Sequence, residues 1–240
     1  MILYKYFPCS ELTYRALSVR GLWCHYPSKM NDPFECLSLA KKDFPIEELA
    51  TLKSYCGQST NESLNRLANH GDDALKDLFN LIRCNTLKEM AFCSLSEKPD
   101  NILMWSHYGS SHRGFVVGFE FKEMKDHHFQ KVQYCDSLTE FDVLPHLKIV
   151  EEDYSPENME AIFKEFSKKA SCWEYENEWR IWRKEPCYYT FEPHEVKEIY
   201  FGVNCDLETK SIVNNLTPYL PDEFQLFQFE FGDNPIRLKV

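Results

Sequence analysis

The segment Trp173-Glu174-Tyr175-Glu176-Asn177-Glu178-Trp179-Arg180-Ile181-Trp182 holds the residue types with the clearest chemical capacity. If its second half is extended, alternation sets Trp179 and Ile181 on the core face and Glu176, Glu178 and Arg180 together on the other. Two carboxylates and a guanidinium then share one exposed strip. A solvated edge with a surface ion pair accounts for that pattern by itself. The large aromatics beside it suggest a second account, a concave site with apolar walls and few polar groups. A carboxylate fixed there could stabilise the oxocarbenium-like sugar formed when an N-glycosidic bond breaks, and hold a ribose hydroxyl.

A second cluster is Met104-Trp105-Ser106-His107-Tyr108-Gly109, followed by His112-Arg113-Gly114. Trp105 and Tyr108, three apart, share one side of a helix. Trp105 suits a core, whereas His107 and Tyr108 each need a hydrogen-bond partner if buried. Arg113 could meet a phosphate through its planar fork, or remain a surface arginine. The third cluster joins Tyr4-Lys5-Tyr6 to Asn31-Asp32-Pro33-Phe34-Glu35. Lys5, in an otherwise apolar strand, either faces solvent or is held for an anion. Asn31-Asp32-Pro33 is sufficient simply as a turn.

Cys93, within Phe92-Cys93-Ser94, is either a nucleophile paired with His107 or a buried inert thiol. His25, His70, His127, His128, His146 and His194 show no H-E-x-x-H spacing, and the expectation is a site without metal. A nuclease using these carboxylates and His107 to hold Mg²⁺ lacks a recognisable ligand spacing.

The elements that must position these groups follow from periodicity. Strands are expected at Leu3 to Phe7 and Leu22 to Tyr26, flanking a helix from Ser10 to Val19 with Ser10 as its cap. From Ile46 to Leu87 apolar residues recur at three- and four-residue steps with Gly71 as a divider, which predicts a helical insertion. Strands at Met90 to Leu95 and Gly114 to Phe121 enclose a helix at Asn101 to Tyr108. Val132 to Cys135 reads as a strand and Glu157 to Ala170 as a helix opened by Pro156. Further strands are expected at Glu178 to Arg183, Tyr188 to Phe191, Glu198 to Phe201 and Phe224 to Phe231, with a helix at Leu207 to Leu216. The class is α+β in one domain spanning residues 1–240, without internal repeats and without a G-x-G-x-x-G or P-loop pattern.

Composition bounds the partners. The chain has 240 residues, 43% hydrophobic, and a net charge of −11, which argues against non-specific binding to nucleic acid or an anionic membrane; any such contact must be confined to a local basic patch. Met1 to Phe7 offers neither a basic n-region nor the apolar stretch of a signal peptide, no apolar run reaches about 18 residues, and a cytoplasmic location is expected. The 10 cysteines contain no C-x-x-C and are expected to be mostly reduced.

In order, L-Y-K-Y-F, N-D-P-F-E, F-C-S-L-S, M-W-S-H-Y-G with H-R-G-F, and Y-E-N-E-W-R-I resemble, over nearly the full length, a bacterial domain-of-unknown-function family. Its pattern is similar, at a distance, to the ADP-ribosyltransferase fold. That resemblance implies a split mixed or antiparallel β-sheet core and NAD as co-substrate, with Glu178 as catalytic glutamate and Glu176 as the first acid of the E-x-E seen in some arginine-modifying members. It implies NAD contacts from Tyr4, Lys5, Tyr6, Asn31, Asp32, Ser94, Trp105, His107, Tyr108, Arg113 and Arg180, with Trp105 or Tyr108 stacking on nicotinamide. Lys5 stands where some relatives carry histidine in L-Y-H-Y-T, and a lysine there can still reach a pyrophosphate. The acceptor would be a protein or nucleic acid, in a toxin or phage-defence setting with an antidote or operon partner. An NAD glycohydrolase, or a nucleotide-binding sensor without chemistry, are the competing expectations.

Overall fold

Burial of both faces of one strand sets the architecture. In β4 (Phe115–Phe119) every residue is buried, so apolar layers must cover the sheet on each side. The computed structural model describes residues 1–32, 36, 41, 43–122, 124, 128–136, 141–216, 224–230 and 236–239, of which 216 and 236–239 are described by backbone alone. Pro33, Phe34, Glu35 and His127 lie outside the described residues, as does Phe231.

The chain runs β1 (Leu3–Phe7), α1 (Glu11–Ser18), β2 (Gly21–Trp23), a 3₁₀ turn (Pro27–Lys29), α2 (Ile46–Gln58), α3 (Glu62–Leu67), α4 (Asp72–Lys88), β3 (Ala91–Ser96), α5 (Ile102–Tyr108) and β4. It continues through β5 (Phe129–Lys131), β6 (Gln133–Cys135), α6 (Leu144–Val150), α7 (Pro156–Phe166), β7 (Lys168–Ala170), a 3₁₀ segment (Ser171–Glu176) and β8 (Glu178–Arg183). Last come β9 (Tyr188–Thr190), a 3₁₀ turn (Pro193–Glu195), β10 (Val196–Phe201), α8 (Leu207–Leu216), β11 (Gln225–Glu230) and β12 (Ile236–Lys239). The described residues form a single mixed α/β domain. Its main sheet has the order β12-β11-β10-β4-β1-β3-β8-β5, antiparallel except for the β10–β11 pair.

That sheet parts in the middle. β1 pairs with β4 from Leu3 to Phe7, yet meets β3 only at Tyr4 opposite Ser96. Past that point Lys5 Nζ reaches across to the Ser94 carbonyl at 2.9 Å, and farther along His25 bridges to Phe92. One face of the sheet carries the core of Leu3, Phe7, Cys93, Leu95, Phe115 and Ile181. The other carries Tyr4, Tyr6, Trp105, Val116 and Tyr200 on one side of the parting, and Phe92, Phe163, Phe166 and Trp182 on the other.

The predicted helical insertion is three helices, α2 to α4, with Leu52, Leu64, Leu75 and Phe79 in their own core against Leu147 of α6. Gly71 caps α4, while Asn61 caps α3 by accepting from the Ser63 and Leu64 amides. Arg83 of α4 is buried and ion-paired to Glu165 of α7, which also meets His146 of α6 at 2.7 Å. The expected helix to Ala170 instead stops at Phe166, and Lys168–Ala170 becomes a strand paired with β6.

After α5 the chain makes a left-handed turn without glycine. Ser110, Ser111 and His112 have φ of 49°, 54° and 66°, a region costly for residues with a Cβ. Long-range bonds hold it: the Asn204 amide donates to the His112 carbonyl at 2.9 Å and the Gly202 amide to the Gly114 carbonyl at 3.0 Å. A Cβ on Gly114 would lie 2.1 Å from the Phe7 carbonyl oxygen. Gly114→Ala is therefore expected to destabilise the fold by about 2–4 kcal/mol, read as a lower urea midpoint. A midpoint equal to that of the unsubstituted protein would contradict this packing.

Candidate functional site

The site forms where β1 and β3 separate. A cavity of about 250 Å³ is lined there by Tyr4, Lys5, Tyr6, Lys29, Met30, Asn31, Ser94, Leu95, Met104, Tyr108, Lys169, Glu176 and Glu178. Alternation along β8 sends Glu178 and Arg180 to the face shared with Ser94 of β3 and with Tyr4 and Tyr6 of β1. Glu176 arrives from the 3₁₀ segment, which ends at Asn177 with a left-handed φ of 45°.

The expected exposed strip is corrected here. Glu176 and Glu178 are each 2% exposed and Arg180 is 0% exposed, because α7, β7 and the 3₁₀ segment cover that face. Alternation assigns side chains to a face without stating what lies over it. Buried charges require partners, and each has them. Lys169 Nζ sits between the acids, 2.6 Å from Glu176 Oε2 and 3.0 Å from Glu178 Oε2, and 5.0 Å from the Trp173 ring centroid. Arg180 Nε donates to Glu178 Oε1 at 2.9 Å and Nη2 to Oε2 at 3.2 Å. Its Nη1 donates to the Phe166 carbonyl at 2.6 Å, and the guanidinium lies 4.5 Å from the Phe92 ring centroid. Ser94 Oγ donates to Glu178 Oε1 at 2.7 Å, Tyr108 donates to Glu176 Oε1 at 2.7 Å, and Asn31 Nδ2 donates to the Tyr108 hydroxyl at 3.0 Å.

These surroundings drive the two acids apart. Burial would raise Glu178, but Arg180 and then Lys169 outweigh it and hold the carboxyl at about 2. Burial raises Glu176; Lys169 opposes the rise and the Glu178 charge reinforces it, leaving the carboxyl above its ordinary range. Burial, with the Glu176 charge, also pushes the Tyr108 phenol up, so it remains a donor. The two carboxyls are thus set apart in proton affinity, Glu178 below and Glu176 above the ordinary range, as in paired-carboxylate sites.

Of the residues read from sequence, Tyr4, Lys5, Tyr6, Asn31, Ser94, Tyr108, Glu176 and Glu178 line the cavity, and Arg180 braces Glu178 from behind. Trp105 does not line it: the ring is 2% exposed, packs edge-on against Tyr6 at 5.5 Å and donates Nε1–H to the Pro99 carbonyl. His107 and Arg113 are exposed and away from the lining, and Asp32 is buried beside Asn31 without lining it. Cys93 is a buried core thiol. Lys169, Lys29 and Met30, which also line the cavity, were not singled out by sequence. Lys169 lies within the helix expected to run to Ala170, and the stop of α7 at Phe166 places it instead in β7, where it is buried. Among the described residues no group of three or more His, Cys, Asp or Glu could hold a metal ion, and no helix is long and apolar enough to cross a membrane.

Residues 104–181 match the family described as Protein of unknown function (DUF2971). The DUF2971 match begins in α5 and ends in β8, so it contains Tyr108, Lys169, Glu176, Glu178 and Arg180 while the β1 side of the cavity lies outside it. Neither the comparison with curated proteins nor that with solved structures gives a match.

The buried ion cluster has a signed pH consequence. Glu178 is depressed below its ordinary value, so it contributes stability above about pH 4.3 that is lost as pH falls toward about 2. Lys169→Met leaves two acids short of a cation and is expected to cost about 3–5 kcal/mol near neutrality. The cost should shrink as the buffer is made acidic, because protonating either acid relieves the missing cation. Urea unfolding at both pH values measures it, and an equal cost at both would rule out the linkage.

Proposed function

We propose that the cavity binds the nicotinamide-ribosyl end of NAD and that the protein transfers ADP-ribose to a macromolecular acceptor. The observation carrying this reading is Glu178, its carboxyl held well below the ordinary range by Arg180 and Lys169, in a tyrosine-walled hollow beside Glu176, whose carboxyl burial holds above it. Bond cleavage leaves positive charge on the ribose carbon. A preorganised anion lowers the energy of that state, and the pair of electrons departs with neutral nicotinamide. The acceptor's lone pair then forms the new bond to the same carbon, and its proton passes to ionised Glu176.

Other features fit. The parting of the sheet supports a split-sheet likeness to ADP-ribosyltransferases, and Tyr108 or Tyr4 offers a ring for nicotinamide in place of Trp105. Lys5 and Lys29 line the cavity without an ion pair among the described residues, which suits a pyrophosphate. At about 250 Å³ the hollow is small for a whole dinucleotide, so the adenosine half would lie along the rim.

One observation favours a second reading. Both Glu178 oxygens are already engaged by Ser94, Lys169 and Arg180, an arrangement that also suits a sensor binding the nucleotide without turning it over.

The test is incubation with labelled NAD and a panel of protein and nucleic-acid acceptors, with Glu178→Gln alongside and its folding checked by near-UV circular dichroism. Transfer or nicotinamide release by the unsubstituted protein is expected, reduced about 10²–10³-fold in the variant. Nicotinamide release without a labelled acceptor would identify a glycohydrolase. Tight calorimetric NAD binding without turnover would favour the sensor, and no binding, or full activity in Glu178→Gln, would end the proposal.

A further inference from the structure

A second cavity lies on the opposite face of the sheet from the two glutamates. It measures about 590 Å³, and its walls include Leu17 of α1, Phe115 and Val117 of β4, Phe191, Ile199 of β10 and Val213 of α8. Alternation along β4 separates it from the first cavity: Phe115 and Val117 face this side, while Val116 packs with Tyr4, Tyr6 and Trp105 on the other. The pairing of β4 with β10 forms its floor. Hydrogen bonds tie its sides to one another. The Tyr14 and Thr209 hydroxyls join α1 to α8 at 3.1 Å, and the Phe191 amide donates to the Arg20 carbonyl at 2.9 Å.

Size and lining together define what the space suits. Protein interiors are close-packed, with few voids larger than a water molecule, whereas about 300–1,000 Å³ is the range of small-molecule sites. Phe115, Val117, Phe191, Ile199 and Val213 are all buried, so the space is recessed into the core, and it meets solvent beside the exposed Ser18 and Arg20. Those two carry the polar side chains of the described lining, and both are engaged elsewhere. Ser18 Oγ donates to the Arg15 carbonyl at 2.7 Å, and Arg20 Nη1 lies 3.9 Å from Glu192 Oε2. An ordered water needs about two to four polar partners, and the apolar side chains of the interior supply none.

We infer that this cavity is a binding site for an uncharged, hydrocarbon-like molecule. A carboxylate or ammonium drawn inside would lose its hydration where no described side chain can pair with it, a costly burial. An aliphatic or aromatic guest meets Phe115, Val117 and Ile199 at no such cost, and removal of apolar surface from water drives it in. The binding is independent of the reading of the other cavity as an NAD site.

Titration with Nile red, an uncharged dye that brightens in apolar surroundings, tests it. Saturable binding of one dye per chain is expected, with an affinity that changes little as salt rises. Decanol should displace the dye at a concentration at least about 5-fold lower than decanoate requires. Leu17→Trp, at the partly exposed rim, and Val213→Phe, on the α8 wall, each place extra volume in the space. Both should weaken dye binding about 10–100-fold with urea midpoints no lower than that of the unsubstituted protein, as when a cavity is filled. Lowered midpoints in both variants would mean that the core is already packed there and would overturn the inference. So would the absence of saturable binding, dye affinity unchanged in both variants, or decanoate displacing the dye as well as decanol does.

Discussion

A single ammonium placed between two buried carboxylates sets the terms for the rest of the site. Without Lys169 the negative charges of Glu176 and Glu178 would face one another out of reach of water, and one would have to take a proton. With it, Glu178 can remain an anion at negligible exposure, while burial and the Glu178 charge still hold the Glu176 carboxyl above its ordinary range. The early end of α7, the β6–β7 pairing and the left-handed Asn177 are the backbone devices that deliver the lysine and the two acids to one point.

The same cluster reaches outward. Arg180 connects Glu178 to the last carbonyl of α7, and Glu165 one residue earlier holds Arg83 of the helical insertion and His146 of α6. The three-helix insertion is thus tied by buried polar contacts to the strand that carries the acid. Such contacts are directional and costly to leave unmade, so they fix the angle at which the helical layer meets the sheet.

Much of this was legible in the sequence. β8 begins and ends where aromatic and β-branched alternation placed it, the Ser10 cap accepts the Thr13 amide as its type demands, and the E-x-E-x-R strip does share one face. The motifs around Tyr4, Ser94, Tyr108 and Glu178 converge on one cavity. What could not be read is cover. Alternation is a local property, while burial of Glu178 depends on β7 and on a lysine whose neighbours came from a helix that stopped early. Trp105 was ambiguous for the same reason, since a helical face looks identical whether it meets a ligand or Tyr6 and Phe229. α6 escaped because Pro145, which punctuates most patterns, sits in its first turn where proline is tolerated.

The left-handed turn of Ser110, Ser111 and His112 ties the two ends of the chain to the helix that carries Tyr108. Its backbone is unfavourable in isolation, and local bonds from the His112, Arg113 and Gly114 amides are joined by bonds from Cys9 near the start of the chain and from Gly202 and Asn204 far along it. The carboxyl end of that helix, one wall of the hollow around the two glutamates, is therefore braced by segments about a hundred residues away on either side.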